Sequence, residues 1–253
     1  MLAWSVRADE SGRTSSAFVI LLAVTASMIR SGIAAHDLAD DRARALALTP
    51  VSRETSERLD RFVELLLRWQ RTSNLIAPST VSRLWTRHIA DSLQLLDLAP
   101  QARVWIDLGS GAGFPGMVLA IALTGTPGAM VHLVESNTKK AAFLREAQRV
   151  TGATASVHLQ RIEDFTASFE GAADVVTARA VAPLKSLLAQ CFPLLGKSGA
   201  MGLFAKGQHA ELELEDAAAQ MKSRDMHATL APSRTDPAGR IVVIRLERNP
   251  TSP

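Results

Sequence analysis

Residues 104–116, VWIDLGSGAGFPG, constrain the fold more than any other stretch of the chain. An apolar strand runs into a turn carrying Gly109, Gly111 and Gly113, and Pro115 then stands near the first position of a helix, where its missing N–H costs nothing. Glycines are required where the backbone bends sharply and comes so close to a ligand that a Cβ would collide with it. A strand, glycine turn and helix in this order form a nucleotide-type loop and demand an α/β sheet around them. Gly111, Gly113 and Gly116 also satisfy the dinucleotide pattern G-x-G-x-x-G, so the glycines alone do not choose the ligand.

Two carboxylates near the loop narrow the choice. Asp107 closes the strand just before the first glycine, where it would repel a pyrophosphate but can help to hold the ammonium of a methionine moiety; S-adenosylmethionine fits this better than NAD. Glu135 ends the next strand and can accept hydrogen bonds from both hydroxyls of a ribose, a feature NAD enzymes share. Its plain alternative is a solvated strand end. After the third strand comes Arg161-Ile162-Glu163-Asp164-Phe165, an acidic turn at the carboxyl edge of the sheet, which either receives an adenine amino group or is a charged surface loop.

From Arg103 onward, β-branched or apolar runs alternate with helical segments, the pattern of a mostly parallel sheet covered on both faces. Strands are expected at 103–108, 130–135, 155–160, 173–178, 199–205, 226–230 and 240–246, and helices at 115–124, 137–151, 183–195 and 208–222. The last two strands lie so close together that the final one, RIVVIRL, has room to run antiparallel. Upstream, Leu59, Phe62, Val63, Leu66 and Leu67 recur at helix spacing behind Ser52 as N-cap; a second helix is expected from about Thr80 to Leu96, with Pro100 as its stop. The chain thus divides into an extension without expected structure (1–50), a helical cap (51–100), an α/β core (101–248) and a tail (249–253).

Composition excludes some chemistry. Cys191 is the only cysteine, so an intrachain disulfide, a four-thiolate zinc site and an iron–sulfur cluster are all out of reach, and no metal site is expected. The net charge of +3 permits contact with nucleic-acid phosphate but does not argue for it. The apolar run Ala17–Ile29 falls short of the roughly 20 residues a membrane span needs, so no stable membrane association is expected. It reads best as an extension ahead of a start at Met28, with an amphipathic tail and a signal peptide as lesser alternatives.

An ordered set of motifs resembles one family, the glucose-inhibited division protein B family of bacterial small-subunit 16S rRNA guanine-N7 methyltransferases (RsmG-type). The set runs Trp69…Asn74-Leu75, Arg87-His88-Ile89-Ala90-Asp91-Ser92, the loop DLGSGAGFPG, Glu135-Ser136 with Lys139, Lys140, Phe143 and Leu144, then Arg161-Ile162-Glu163-Asp164-Phe165, Ala178-Arg179-Ala180 and Phe204-Ala205-Lys206-Gly207. The resemblance covers residues 52 to 246. It implies a Rossmann-like class I methyltransferase fold, S-adenosyl-L-methionine as cofactor, and methylation of N7 of a guanine in the 530 loop of 16S rRNA. The expected partner is naked 16S rRNA or a small-subunit assembly intermediate, and the expected state a cytoplasmic monomer. Cofactor contacts are implied at Gly109, Phe114, Ile162, Glu163 and Arg179, beside Gly111 and Gly113 from the loop itself and Glu135 from the end of the next strand. This sequence has Ala112 and Phe114 where members often carry proline and leucine, changes that keep the loop apolar.

Guanine N7 has a free lone pair, so its methylation demands no catalytic base; alignment in a desolvated pocket suffices. The chain accordingly lacks the N-P-P-[FY] segment that holds an exocyclic amine and has Thr177-Ala178-Arg179-Ala180-Val181-Ala182-Pro183 in its place. Arg179, Arg87, His88 and Lys206 are the candidates for positioning substrate. Arg179 either binds cofactor, donates to guanine O6 or pairs with a carboxylate. Arg87 and Asp91, four apart, read equally as a surface ion pair, His88 as a hydrogen-bonded packing residue, and Lys206 as either a phosphate ligand or a solvated lysine. Lys139, Lys140, Arg145 and Arg149 supply a basic helix face for RNA or for solubility. Two other classes stay open on the residues alone: an NAD(P)-dependent oxidoreductase, which lacks an evident hydride-transfer site, and a noncatalytic RNA-binding assembly module.

Overall fold

A computed structural model gives the structure of the chain and describes residues 35–247. Seven strands form one sheet: β1 (Val104–Leu108), β2 (Met130–Val134), β3 (Ala155–His158), β4 (Val175–Arg179), β5 (Met201–Lys206), β6 (Met226–Pro232) and β7 (Arg240–Leu246), in the order β3-β2-β1-β4-β5-β7-β6. The first five are parallel, and β7 runs antiparallel to both β5 and β6. The expected mostly parallel seven-stranded sheet with a reversed last strand is therefore what forms. Central strands such as β1 and β4 are almost wholly buried because helices cover both their faces. The strand order reverses between β1 and β4, which opens the crevice where sheets of this kind bind ligands.

One face of the sheet carries α2 (Arg53–Gln70), α5 (Gly116–Ala122) and α6 (Thr138–Thr151), and Leu59, Phe62, Trp105, Phe143 and Leu144 are fully buried there. The other carries α7 (Ile162–Ser168), α8 (Leu184–Ser198) and α9 (Ala210–Lys222) over Phe165, Leu187, Leu188, Cys191 and Phe204. Local signals place the helix ends. Ser52 Oγ accepts from Thr55 N–H at 3.1 Å, Asn137 Oδ1 accepts from Lys140 N–H at 3.1 Å, and Gly152 closes α6 at φ 63°.

Three expectations need correction. Ala35–Leu48, assigned to the extension, form α1, whose Asp41 is fully buried and accepts from Trp85 N–H (2.7 Å), Thr86 N–H (3.2 Å) and Thr86 Oγ–H (2.6 Å). That carboxylate satisfies backbone donors a helix start would otherwise leave open, and Arg42 adds a forked pair to Asp60 at 2.7 and 2.8 Å. The run Ala17–Ile29 lies outside the described residues. The second helix of the cap is broken into 3-10 turns (Pro78–Arg83), a π-helical stretch (Trp85–Ala90) and the short pieces α3 (Asp91–Leu93) and α4 (Leu95–Leu98). Finally, the acidic turn at 161–165 is the start of α7, too short for its period to stand out.

Candidate active site

The β1 loop turns through three glycines with left-handed backbone, Gly109 (φ 68°), Gly111 (φ 55°) and Gly113 (φ 89°), a region that side chains with a Cβ rarely enter. Space is a second constraint. A Cβ on Gly109 would lie 2.6 Å from a Val181 methyl, and one on Gly116 2.4 Å from Leu133 and 2.5 Å from Asp107. Glu135, buried at the end of β2, braces the bend: Oε2 accepts from Gly111 N–H at 2.9 Å and Oε1 from Asn137 N–H at 2.7 Å. Each oxygen keeps a further lone pair for a ligand hydroxyl.

Asp107 lies beneath the bend and is fully buried. Its Oδ2 accepts from Gly116 N–H at 3.1 Å, while Oδ1 has no hydrogen-bond donor. Burial pushes this carboxyl up to about 7, against the pull of the nearby Ser110 hydroxyl, which donates to the Asp107 C=O at 2.9 Å, of the Gly116 N–H and of the Arg179 charge. A buried acceptor without a donor is costly to an isolated fold and suits a cationic ligand.

Arg179, at the end of β4, is held from three sides. Nη1 donates to Arg87 C=O (3.2 Å) and to Asp91 Oδ2 (3.3 Å), Nη2 donates to His88 Nδ1 (2.7 Å), and the guanidinium stands 5.2 Å from the Phe114 ring centroid. A guanidinium has no acceptor, so His88 Nδ1 must accept and its Nε2–H donates to Thr80 Oγ1 at 2.9 Å. Burial, with the charges of Arg179 and Arg87, drives the His88 pKa down to about 3, so the ring is neutral. It stacks on Phe114 with centroids 4.8 Å apart. His88 therefore orients Arg179 rather than transferring a proton.

A cavity of about 730 Å³ opens beside this network, lined by Arg87, His88, Arg179, Lys206, Asp236 and Arg240 among others. Here the structure departs from simple spacing. Arg87 pairs not with Asp91 but with Asp236 of the β6–β7 loop, at 2.7 Å, while Asp91 Oδ1 accepts from Gln94 Nε2 and Thr235 Oγ1, both at 2.8 Å. The π-helical turn, with its i to i+5 bonds, moves positions four apart off a common face. Lys206 is neither solvated nor free for phosphate: Nζ donates to Glu213 Oε2 (2.7 Å) and Ala182 C=O (2.8 Å), and its side chain is 10% exposed. Ile162 is half-buried at the head of α7, and Glu163 Oε1 accepts from Gln190 Nε2 at 2.5 Å, so its carboxylate leans toward α8.

Phe114 is buried and forms the floor under His88 and Arg179 instead of an open loop tip. Lys139, Arg145 and Arg149 are exposed and Lys140 half-buried along α6, with Arg149 paired to Glu146 at 2.7 Å. Asp236, Thr80, Glu213 and Arg240 also line the cavity, although nothing in the sequence near them signals it. Among the described residues no group of three or more His, Cys, Asp or Glu is placed to hold a metal ion.

The family model described as rRNA small subunit methyltransferase G (GidB) matches residues 55–241. A protein of Bradyrhizobium sp. (strain BTAi1) named ribosomal RNA small subunit methyltransferase G is 58% identical over 212 residues, covering 84% of this chain and 94% of that protein. One of the same name from Methylobacterium sp. (strain 4-46) is 55% identical over 205 residues, covering 81% and 94%. Among solved structures, the O-methyltransferase TomG of Streptomyces achromogenes in complex with SAM superposes with a TM-score of 0.56 at 15% identity, covering 83% of this chain and 96% of that one, a likeness of fold.

Proposed function

Because the chain belongs to the rRNA small subunit methyltransferase G family, we propose that it transfers a methyl group from S-adenosylmethionine to N7 of a guanine in the 530 loop of 16S rRNA. The observation that carries this reading is the glycine bend at the β1/β4 switch point, set over an unsatisfied Asp107 carboxylate and joined through Arg179 to a cavity wide enough for a base.

S-adenosylmethionine supplies the electrophilic methyl. Gly109, Gly111 and Gly113 make the cradle, Phe114 its floor, and Glu135 offers its spare lone pairs to a diol. Asp107, whose Oδ1 awaits a donor, favours a cation beside it. Ile162 and Glu163 at the head of α7 complete the carboxyl edge, Glu163 after release of Gln190. Arg179, its orientation set by Asp91 and His88, lends its remaining donors to the base at an atom other than N7, since a donor on N7 would occupy the reacting lone pair. No residue needs to remove a proton, and His88, with its pKa lowered to about 3 and both ring nitrogens already bonded, is a poor base. The work left to the protein is alignment and exclusion of water.

The substrate is 16S rRNA, naked or in an assembling small subunit, with the α6 cations contributing phosphate contacts. The enzyme acts as a cytoplasmic monomer; among the described residues no helix is long and apolar enough to cross a membrane. No observation favours the oxidoreductase or the noncatalytic module. Titration calorimetry should show heat with S-adenosylmethionine and none with NAD. Labelled cofactor incubated with small-subunit rRNA from a strain lacking the enzyme should leave its label on one guanine; label on a pyrimidine, on protein only, or nowhere would overturn the assignment.

A further inference from the structure

The ion pair between Arg87 and Asp236 has little reason to exist for stability. Its side chains are 42% and 32% exposed, and a pair so wet contributes little to folding. Yet it lines the cavity and joins the cap to the β6–β7 loop, 149 positions apart. Of the cavity's other carboxylates, Asp91 is buried and saturated by Arg179, Gln94, Thr235 and Ser233, and Glu213 shares Oε2 between Lys206 and Leu184 N–H. Asp236 accepts from Arg87 on Oδ2 and from Ala238 N–H (3.0 Å) on Oδ1, which leaves a lone pair on each oxygen beside a guanidinium with donors to spare.

Read along its edge, such a pair offers donors next to acceptors. The Watson–Crick edge of guanine is the complement: O6 accepts, and N1–H and the 2-amino group donate. We propose that the Arg87–Asp236 pair reads this edge of the target guanine, Arg87 donating to O6 and Asp236 accepting from N1–H and the 2-amino group. The inference rests on the functional reading above and names its specificity determinant. Adenine presents the opposite pattern, a donor at N6 and an acceptor at N1, and is rejected. N7 lies on the other edge of the ring and stays free to react. An edge bound by protein cannot be base-paired, so the guanine enters unpaired, as in most sequence-specific recognition of RNA.

The test replaces the methylated guanine, once mapped with the wild-type enzyme, by inosine in a ligated small-subunit rRNA transcript. Inosine keeps O6, N1–H and N7 and lacks only the 2-amino group. Wild type should lose about 10- to 100-fold in kcat/KM on inosine, because a carboxylate oxygen is left unpaired. Asp236→Ala should lower transfer to guanine and bring the guanine-to-inosine ratio close to one. Arg87→Ala should lower both substrates while keeping the wild-type ratio, since both bases carry O6. Calorimetry with S-adenosylmethionine and thermal melting check that each variant is folded. Equal transfer by wild type to guanine and inosine would overturn the proposal without any variant. An unchanged ratio in folded Asp236→Ala would reduce Asp236 to a loop anchor and overturn it as well. Transfer to no guanine at all would overturn this proposal together with the function it rests on.

Discussion

The glycine-loop side of the site and the cavity side are assembled by different means. Around the loop, the hydrogen bonds that shape the bend join residues close in sequence: Gly116 to Asp107 across nine positions, Gly111 to Glu135 across 24, and Asn137 to Glu135 across two. Across the cavity, Arg179 reaches Asp91 and His88 over 88 and 91 positions, Thr235 reaches Asp91 over 144, and Arg87 reaches Asp236 over 149. The first side is backbone geometry with carboxylates as braces. The second is a side-chain network that exists only once the cap and the β6–β7 loop have docked. Damage should therefore separate: loop changes should strike cofactor binding, and network changes should strike stability and turnover.

The largest expected break is Asp91→Ala. It leaves Arg179, 19% exposed, without its carboxylate, a loss of about 3–5 kcal/mol for a buried pair, and melting should fall by roughly 6–15 °C. Cofactor affinity in the variant that remains folded should change less than transfer activity. Equal loss of both in calorimetry and methyl-transfer assays would dissolve the distinction between the two sides.

Next comes Gly109→Val. The left-handed backbone (φ 68°) and the Val181 methyl 2.6 Å from the new Cβ oppose it together, at about 2–4 kcal/mol. Cofactor binding should weaken by roughly 30- to 1,000-fold on that scale, measured by calorimetry. Binding at wild-type strength would show that the bend does not hold the cofactor.

A third prediction uses pH. In the free protein Asp107 titrates at about 7, raised from its unfolded value, so below pH 7 it is mostly protonated and must release a proton when a cationic ligand binds. Affinity for S-adenosylmethionine should then fall about tenfold between pH 8 and pH 6, with proton release visible as buffer-dependent heat. The same raised value means that Asp107 favours the folded state below its unfolded pKa and loses that advantage as pH climbs through 7. Asp107→Asn should flatten the binding profile; a slope that persists would assign it to another group.

The smallest effect belongs to Thr80→Val. His88 Nε2–H loses its acceptor, which should lower stability by about 1 kcal/mol and reduce turnover only a few-fold while cofactor affinity holds. A larger loss of binding than of turnover would place His88 on the cofactor side.

The legible parts of the molecule are the local ones. Ser52, Asn137 and Gly152 announce helix ends because a cap is a contact within a few residues. The strands show in β-branched runs, and the bend shows because left-handed backbone selects glycine. The misread parts are those where a distant partner overrules spacing. α1 is polar and alanine-rich and is held by distant partners, Asp41 by Trp85 and Thr86, 44 and 45 positions on, and Arg42 by Asp60, 18 positions on. Arg87 and Asp91 share a helical face by count, but the π-helical turn gives each a different charge partner, Asp236 for Arg87 and Arg179 for Asp91.

What the amino-acid order determined alone is the α/β sheet, the position of its glycine bend and the carboxylates flanking it, because periodicity, propensity and left-handed backbone act within a few residues of one another. The tertiary structure decided which charges meet: that Lys206 is spent on Glu213, that His88 serves Arg179, and that Asp236 faces the cavity beside Arg87. A side chain finds its partner through space, and the distance in space between residues 87 and 236 is set by the packing of every element between them.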